Sequence, residues 1–110
     1  MKWRLALRPQ ADRDINNHFE YIARDNLEAA IRFYEAAFRA FDVLQTNPHI
    51  GPAREFENPQ LTDVRIWLIK DFDKYLIFYR ANDGEVEILR VLHAARDIDS
   101  ILSGEDRETE

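Results

Sequence analysis

The chain has 110 residues, of which 45% are hydrophobic and 33% are charged, as in ordinary soluble globular proteins. This length predicts a single domain with one core. The chain has no cysteine, which excludes disulfides and thiolate-bound metal, and it shows neither a signal peptide nor an apolar run long enough for a membrane span. We therefore expect a cytoplasmic protein. The net charge of −6 is concentrated in residues 97–110, so the basic excess of a nucleic-acid-binding protein is absent.

The first two predicted elements are a short strand and a helix. Residues 3–8 alternate loosely and are followed by Pro9, which is typical of the end of a strand. An apolar stripe with helical spacing then predicts a first helix, in which Asp12 and Asp14 are first-turn acids. The stripe consists of Ala11, Ile15, Phe19 and Ile22.

A second, longer helix is predicted after a short break. Asp25, with Glu28 three residues later, resembles a capping box. Asn47-Pro48 ends the helix, and the short link between the two helices predicts an antiparallel hairpin. The apolar stripe of this helix consists of Ile31, Tyr34, Phe38, Phe41 and Leu44.

Three strands follow a polar loop over residues 48–63. Apolar, β-branched and aromatic residues fill 64–70, 75–79 and 86–92, and turn residues separate these runs at 71–74 and 82–84. The order β-α-α-β-β-β, with a short C-terminal helix or tail from residue 97, predicts an α+β fold in which an antiparallel sheet packs against a helical hairpin. We expect one domain over residues 1–103 and a flexible acidic tail over residues 104–110.

Both faces of the predicted sheet are apolar. Ile66 and Leu68 share one face of the first of these strands, whereas Trp67 and Ile69 share the other. One helical hairpin can cover only one face. The second face is covered either by the chain's own loop and tail or by a partner, and we favour the partner.

The sequence offers little catalytic chemistry. The only serines lie in the polar C-terminal stretch, the three histidines are far apart, and three glycines cannot build a phosphate-binding loop. We therefore predict no catalytic residue, no metal and no cofactor. His93, at the end of a buried strand, is interpreted as structural, and Asp97 as the cap of the C-terminal segment.

The stretch VEILRVLHAARDI (residues 86–98) resembles the ending of the ParE toxins of the RelE/ParE superfamily, from bacterial type II toxin–antitoxin systems. Three further pieces resemble the family in the same order and spacing: PQADRDI (9–15), NPHIG (47–51) and YLIFYR (75–80). Alone each piece is weakly specific, but together they are fairly specific, and the resemblance extends over nearly the whole chain, from about Leu7 to Leu102. The resemblance implies the β-α-α-β-β-β fold that the hydrophobic pattern also predicts.

The resemblance also implies a function. ParE-like members poison DNA gyrase, which causes growth arrest and underlies plasmid stability, whereas RelE-like relatives cleave mRNA on the ribosome. Tyr75 stands roughly where the nucleases place an arginine, and the acidic C-terminal stretch contains no tyrosine. These departures favour a gyrase-poisoning toxin. The alternatives are a RelE-like ribosome-dependent mRNA endonuclease and a non-toxic homologue that binds only its antitoxin.

The implied partners are a ParD-like antitoxin, in a heterotetramer or larger complex, and gyrase as the target, with neither sequence-specific nucleic-acid binding nor membrane association. We expect an arginine-rich set to contact the target and an apolar set to contact the antitoxin. The target-binding set is Arg96, Arg80, Tyr75 and Arg90. The antitoxin-binding set is Trp67, Ile69, Tyr34 and Phe38.

Overall fold

The structure is a computed structural model that describes the backbone of residues 1–108 and the side chains of residues 1–103. Four strands and three helices alternate in the order β-α-α-β-β-β-α. The strands are β1 (Arg4–Leu7), β2 (Arg65–Ile69), β3 (Phe72–Asn82) and β4 (Glu85–His93); the helices are α1 (Pro9–Ala23), α2 (Leu27–Thr46) and α3 (Ile98–Glu108). Within the described residues no helix is both long and apolar enough to cross a bilayer. The predicted α+β fold class is confirmed.

The four strands form one sheet in the order β1-β4-β3-β2. β2, β3 and β4 are antiparallel neighbours, whereas β1 lies parallel to β4. The sheet is therefore mixed rather than wholly antiparallel. The difference arises because the helical hairpin carries the chain across one face of the sheet before it returns, and such a crossover permits a parallel pairing that a tight turn does not.

The two helices start at different signals. Pro9 is the first residue of α1, a position where its missing N–H costs no hydrogen bond. α2 is capped by Asn26, whose side chain accepts a hydrogen bond of 3.0 Å from the amide of Ala29. The predicted capping box at Asp25 is therefore wrong by one residue, since Asn26 is the residue with extended backbone dihedral angles.

The buried face of α2 is rotated relative to the predicted stripe. Phe41 and Leu44 are buried as expected, but Ile31 and Tyr34 are 45% and 43% exposed. The face that meets the sheet is made largely of alanines, which let the helix approach the sheet closely. Its buried residues are Ala30, Phe33, Ala36, Ala37, Ala40, Phe41 and Leu44.

Separate cores lie on the two faces of the sheet. α1 and α2 cover the first face, where Ile15, Phe33 and Ile77 are fully buried. The second face is covered by the chain itself. Its buried residues come from the sheet, from residues 61–64 and from α3: Leu61, Val64, Phe78, Leu89, Leu92, Ile98 and Leu102. The expectation that a partner covers this face is therefore corrected, because α3 and the loop before β2 already do so.

Two tight turns position the strands. Asp71 has a φ of 71°, so the chain reverses there and β3 begins at Phe72, earlier than predicted. Asp83 and Gly84 both have positive φ, which is the conformation of the predicted Asp-Gly hairpin turn. At the other end, α3 takes in residues 104–108 of the predicted tail, and residues 109–110 lie outside the described part.

Candidate functional site

The C-terminal end of β4 forms a compact turn into α3. The amide of Ala95 donates to Nδ1 of His93 at 3.1 Å, and the amide of Arg96 donates to the carbonyl of His93 at 3.0 Å. Asp97 then accepts from the amide of Ser100 at 3.4 Å, as a cap of α3 does. His93 and Asp97 thus both make hydrogen bonds to the backbone of this turn, and Arg96 lies between them in the sequence.

Arg96 is exposed, and its guanidinium makes no hydrogen bond or ion pair with a described side chain. The turn holds its backbone while the side chain projects at the rim of the sheet. An arginine in this state presents a planar fork of five donors to a partner without losing an internal contact.

Tyr75 lies between two imidazoles beside this turn. It pairs with His93 across the sheet, with ring centroids 5.2 Å apart, and its ring centroid is 4.8 Å from that of His18 on α1. Phe33 closes the cluster at 4.9 Å. Burial, with a smaller contribution from Tyr21, raises the pKa of Tyr75. The phenol therefore stays protonated at neutral pH.

His18 is held neutral by its surroundings. Burial lowers its pKa most strongly, and the nearby His93 and Arg96 lower it further, against the raising effects of the Val91 hydrogen bond and Asp14. Nε2 of His18 donates to the carbonyl of Val91 at 2.7 Å, because a carbonyl can only accept. The two imidazoles flanking Tyr75 therefore have their orientations set by backbone contacts.

Arg90, predicted to bind the target, is instead part of a buried ion pair. Its guanidinium donates to both carboxylate oxygens of Asp14, at 2.7 Å and 2.8 Å, and the same carboxylate accepts from the amide of Val91 at 3.0 Å. The side chains of Arg90 and Asp14 are only 11% and 7% exposed. Arg90 therefore joins β4 to α1 and is not presented to a partner.

Arg80 is also engaged within the chain. Its guanidinium donates to the carbonyl of Thr62 at 3.0 Å and to that of Gln60 at 3.1 Å. These bonds hold the loop that covers the second face of the sheet. Of the arginines predicted to bind the target, only Arg96 has a guanidinium without such a contact among the described side chains.

An apolar groove of about 330 Å³ lies between α2 and the edge strand β2. Leu68, at 48% exposed, and Val43, at 38% exposed, contribute to its lining beside the half-buried Trp67. The alanines of α2 form its floor, and Arg39, Lys70 and Asp71 form a charged rim. A groove with an apolar centre and a charged rim is suited to an amphipathic segment of another protein.

The other residues predicted to bind an antitoxin are divided between two locations. Tyr34 and Phe38 lie on α2 outside this groove, in a row of aromatic rings that begins at Phe19. Ile69 is completely buried beneath α2. Ile69 therefore cannot contact a partner directly, and it can only support the surrounding exposed residues by packing beneath them.

Sequence reasoning missed two residues of this region. Asp14 was interpreted as a first-turn acid favoured by the helix dipole, but it lies one turn further into α1 and is buried against β4. His18 was not singled out. The available signal was that Ile15, His18 and Ile22 share one helical face with Asp14. In the described part of the chain, no three acidic or histidine side chains converge as a metal site would require.

Comparisons with known proteins place this fold in a family. A search of curated proteins found no match. A solved structure described as the chromosomal ParDE toxin–antitoxin system from P. aeruginosa matches with a TM-score of 0.67 at 20% identity, over 84% of this chain and 96% of that one. The family model for the ParE toxin of the type II toxin–antitoxin system parDE matches residues 5–98. This chain therefore belongs to the ParE toxin family of type II toxin–antitoxin systems.

Proposed function

We propose that this chain is a ParE-like toxin that inhibits DNA gyrase and is neutralised by a ParD-like antitoxin. Besides family membership, one observation carries the choice of a protein target over RNA. The two arginines on the central strands are occupied, Arg90 by Asp14 and Arg80 by loop carbonyls. A sheet that cleaved RNA would need basic side chains directed at the phosphate backbone.

The proposed target-contacting region is the rim formed by Arg96 and Tyr75. Arg96 projects there, and a single exposed arginine in a well-packed rim is a common energetic centre of a protein interface. Tyr75 adds an aromatic edge next to it. The adjacent Asp97 makes a polyanionic ligand unfavourable at the same place.

The proposed antitoxin-contacting region is the groove between α2 and β2. Leu68 and Val43 are large apolar side chains that the chain leaves exposed, and Trp67 forms one wall. Tyr34 and Phe38 provide a second aromatic surface on the same helix. An antitoxin segment that folds on binding would bury these groups together.

The activity is tested with purified protein in a gyrase supercoiling assay, with primer extension on ribosome-bound mRNA run in parallel. We expect inhibited supercoiling or trapped cleaved DNA, and uncut mRNA. Arg96→Ala should weaken the inhibition about tenfold or more, as interface arginines commonly do. Arg24→Ala, a matched change at the exposed arginine that directly follows α1, should leave it unchanged. If mRNA is cut in the ribosomal A site while gyrase stays active, the chain is a nuclease instead.

The partner is tested by hydrogen exchange with and without a ParD-like antitoxin. The backbone amides of Trp67, Leu68 and the exposed face of α2 should gain protection in the complex. Equal protection in both states would show that the antitoxin binds elsewhere. Leu68→Lys, which places a charge in the groove, should weaken the complex without lowering the melting temperature, because the side chain is exposed.

A further inference from the structure

The cluster around Tyr75 presents several hydrogen-bond donors that the chain itself does not use. The Tyr75 hydroxyl and the Arg96 guanidinium make no hydrogen bond with a described side chain. His93 accepts at Nδ1 from the amide of Ala95, so in its neutral form the hydrogen is on Nε2 and points away from the turn. Nε2 of His93 likewise has no acceptor in the described part of the chain.

These donors are brought together by the fold. Tyr75 and His93 are opposite each other in the β3–β4 ladder, and their rings meet edge to face at 5.2 Å. The hydrogen bond from the Arg96 amide to the His93 carbonyl folds the chain back at the same point. Arg96 lies near enough to His18, on the other side of Tyr75, for its charge to lower the pKa of that imidazole.

We propose that the Tyr75 hydroxyl, Nε2–H of His93 and the guanidinium of Arg96 form a binding site for a single carboxylate of a partner protein. All three groups donate, so the ligand must accept with several lone pairs, as an oxyanion does. Arginine matches the two oxygens of a carboxylate with its planar fork. Tyr75 and His93 are half-buried, which weakens competition from water for the same bonds.

The charge of the surroundings selects a carboxylate over a nucleic-acid phosphate. Arg96 is the one permanent cation of the cluster, which balances one negative charge. Asp97 follows it directly, whereas Asp99, two residues further along, is paired with Arg54. A nucleic acid needs several cations in a row to release counterions, and Asp97 would repel its neighbouring phosphates.

The site is supported by rings that do not bind the ligand. His18 donates to the carbonyl of Val91, and Phe33 packs on Tyr75, so the tyrosine ring is held from two sides. This preorganisation lowers the ordering cost of binding. The residues that hold the ring, His18 and Phe33, are therefore different from the residues that bind the ligand, and the two sets can be varied separately.

The test is an NMR titration of the purified chain with sodium acetate, compared with sodium chloride at equal ionic strength. The imidazole resonances of His93 should shift saturably with acetate and not with chloride, and the pKa of His18 should rise as bound acetate offsets the Arg96 charge. In Tyr75→Phe and Arg96→Gln the dissociation constant for acetate should increase about fivefold or more, the equivalent of one net hydrogen bond. Arg24→Gln is the control and should bind acetate as the parent chain does.

Equal responses to acetate and chloride would overturn the proposal, as would unchanged acetate binding in both site variants. Tyr75→Phe keeps every ring contact, so its melting temperature should be unchanged. A loss of acetate binding in this variant therefore cannot be explained by unfolding. Arg96→Lys keeps the charge but not the fork, and retention of full affinity in that variant would reject the bidentate geometry.

The identity of the partner rests on the proposed function, whereas carboxylate binding does not. The same variants are therefore measured for gyrase inhibition and for antitoxin affinity. Loss of the first alone assigns the carboxylate to gyrase, and loss of the second alone assigns it to the antitoxin. If neither changes while acetate binding is lost, no partner uses the site and that part of the proposal fails. A chain that never inhibits gyrase refutes the proposed function but leaves the acetate result standing.

Discussion

Asp14→Ala should be among the most destabilising single changes in this protein. The carboxylate accepts two hydrogen bonds from Arg90 and one from the amide of Val91, and it is 7% exposed. Removing it leaves a buried guanidinium and a buried amide without these acceptors. Breaking one partner of a buried pair costs about 3–5 kcal/mol. For a domain of this length that loss corresponds to a melting temperature lower by roughly 10–20 °C.

The assay is urea and thermal unfolding followed by circular dichroism. Asp42→Ala is the matched control, because Asp42 forms an exposed ion pair with Lys2. The side chain of Asp42 is 60% exposed and that of Lys2 is 57% exposed. That pair should contribute about 0–1 kcal/mol. The double variant Asp14→Leu with Arg90→Met should recover most of the stability, since an apolar pair of similar volume has no charge to bury.

A loss of less than about 1 kcal/mol for Asp14→Ala would refute this reasoning, because a net hydrogen bond alone is worth that much. Equal losses for Asp14→Ala and Asp42→Ala would do the same. Either result would mean that water reaches the guanidinium of Arg90 and replaces the carboxylate as its hydrogen-bond acceptor.

Three further outcomes are expected. Gly51→Ala should destabilise the fold by about 1–3 kcal/mol in urea unfolding, since its new Cβ would lie 2.5 Å from the backbone carbonyl oxygen of Ile66 and 2.8 Å from the hydroxyl of Tyr79. Tyr79→Phe should cost less, because it loses only one buried hydrogen bond of 3.0 Å. The lowered pKa of His18 means that the unfolded chain takes up its proton first, so the stability from neutral His18 is complete above pH 6.5 and declines as the pH falls below that value; His18→Gln should flatten this part of the stability profile, and an unchanged slope would contradict the assignment. His93→Ala should lower the melting temperature, because the amide of Ala95 loses its acceptor, and should also weaken toxicity in a growth-arrest assay by more than the loss of folded protein explains. Arg96→Ala should keep the melting temperature and weaken toxicity in the same assay, and full toxicity of Arg96→Ala would contradict its assignment to the target-contacting rim.

The local pattern of the sequence was sufficient to predict the main helices and strands. Periods of about 3.6 residues predicted the two long helices, and runs of apolar, β-branched and aromatic residues predicted the three later strands. Asp83-Gly84 predicted the hairpin turn. Each of these signals depends only on neighbours within one turn or one strand. The matching pieces together, of which the ending at residues 86–98 is the strongest, were sufficient to recognise the family, which the family match confirms. The fold class followed from the order of the elements.

The tertiary structure decided which charges and faces are available. Nothing near Arg90 in the sequence distinguishes it from Arg96, yet one is buried against a carboxylate 76 residues away and the other is exposed. The parallel pairing of β1 with β4 and the cover on the second sheet face also depend on contacts between distant segments. The physical reason is that hydrophobic and electrostatic burial depends on which segments meet in space, whereas backbone propensity depends only on adjacent residues.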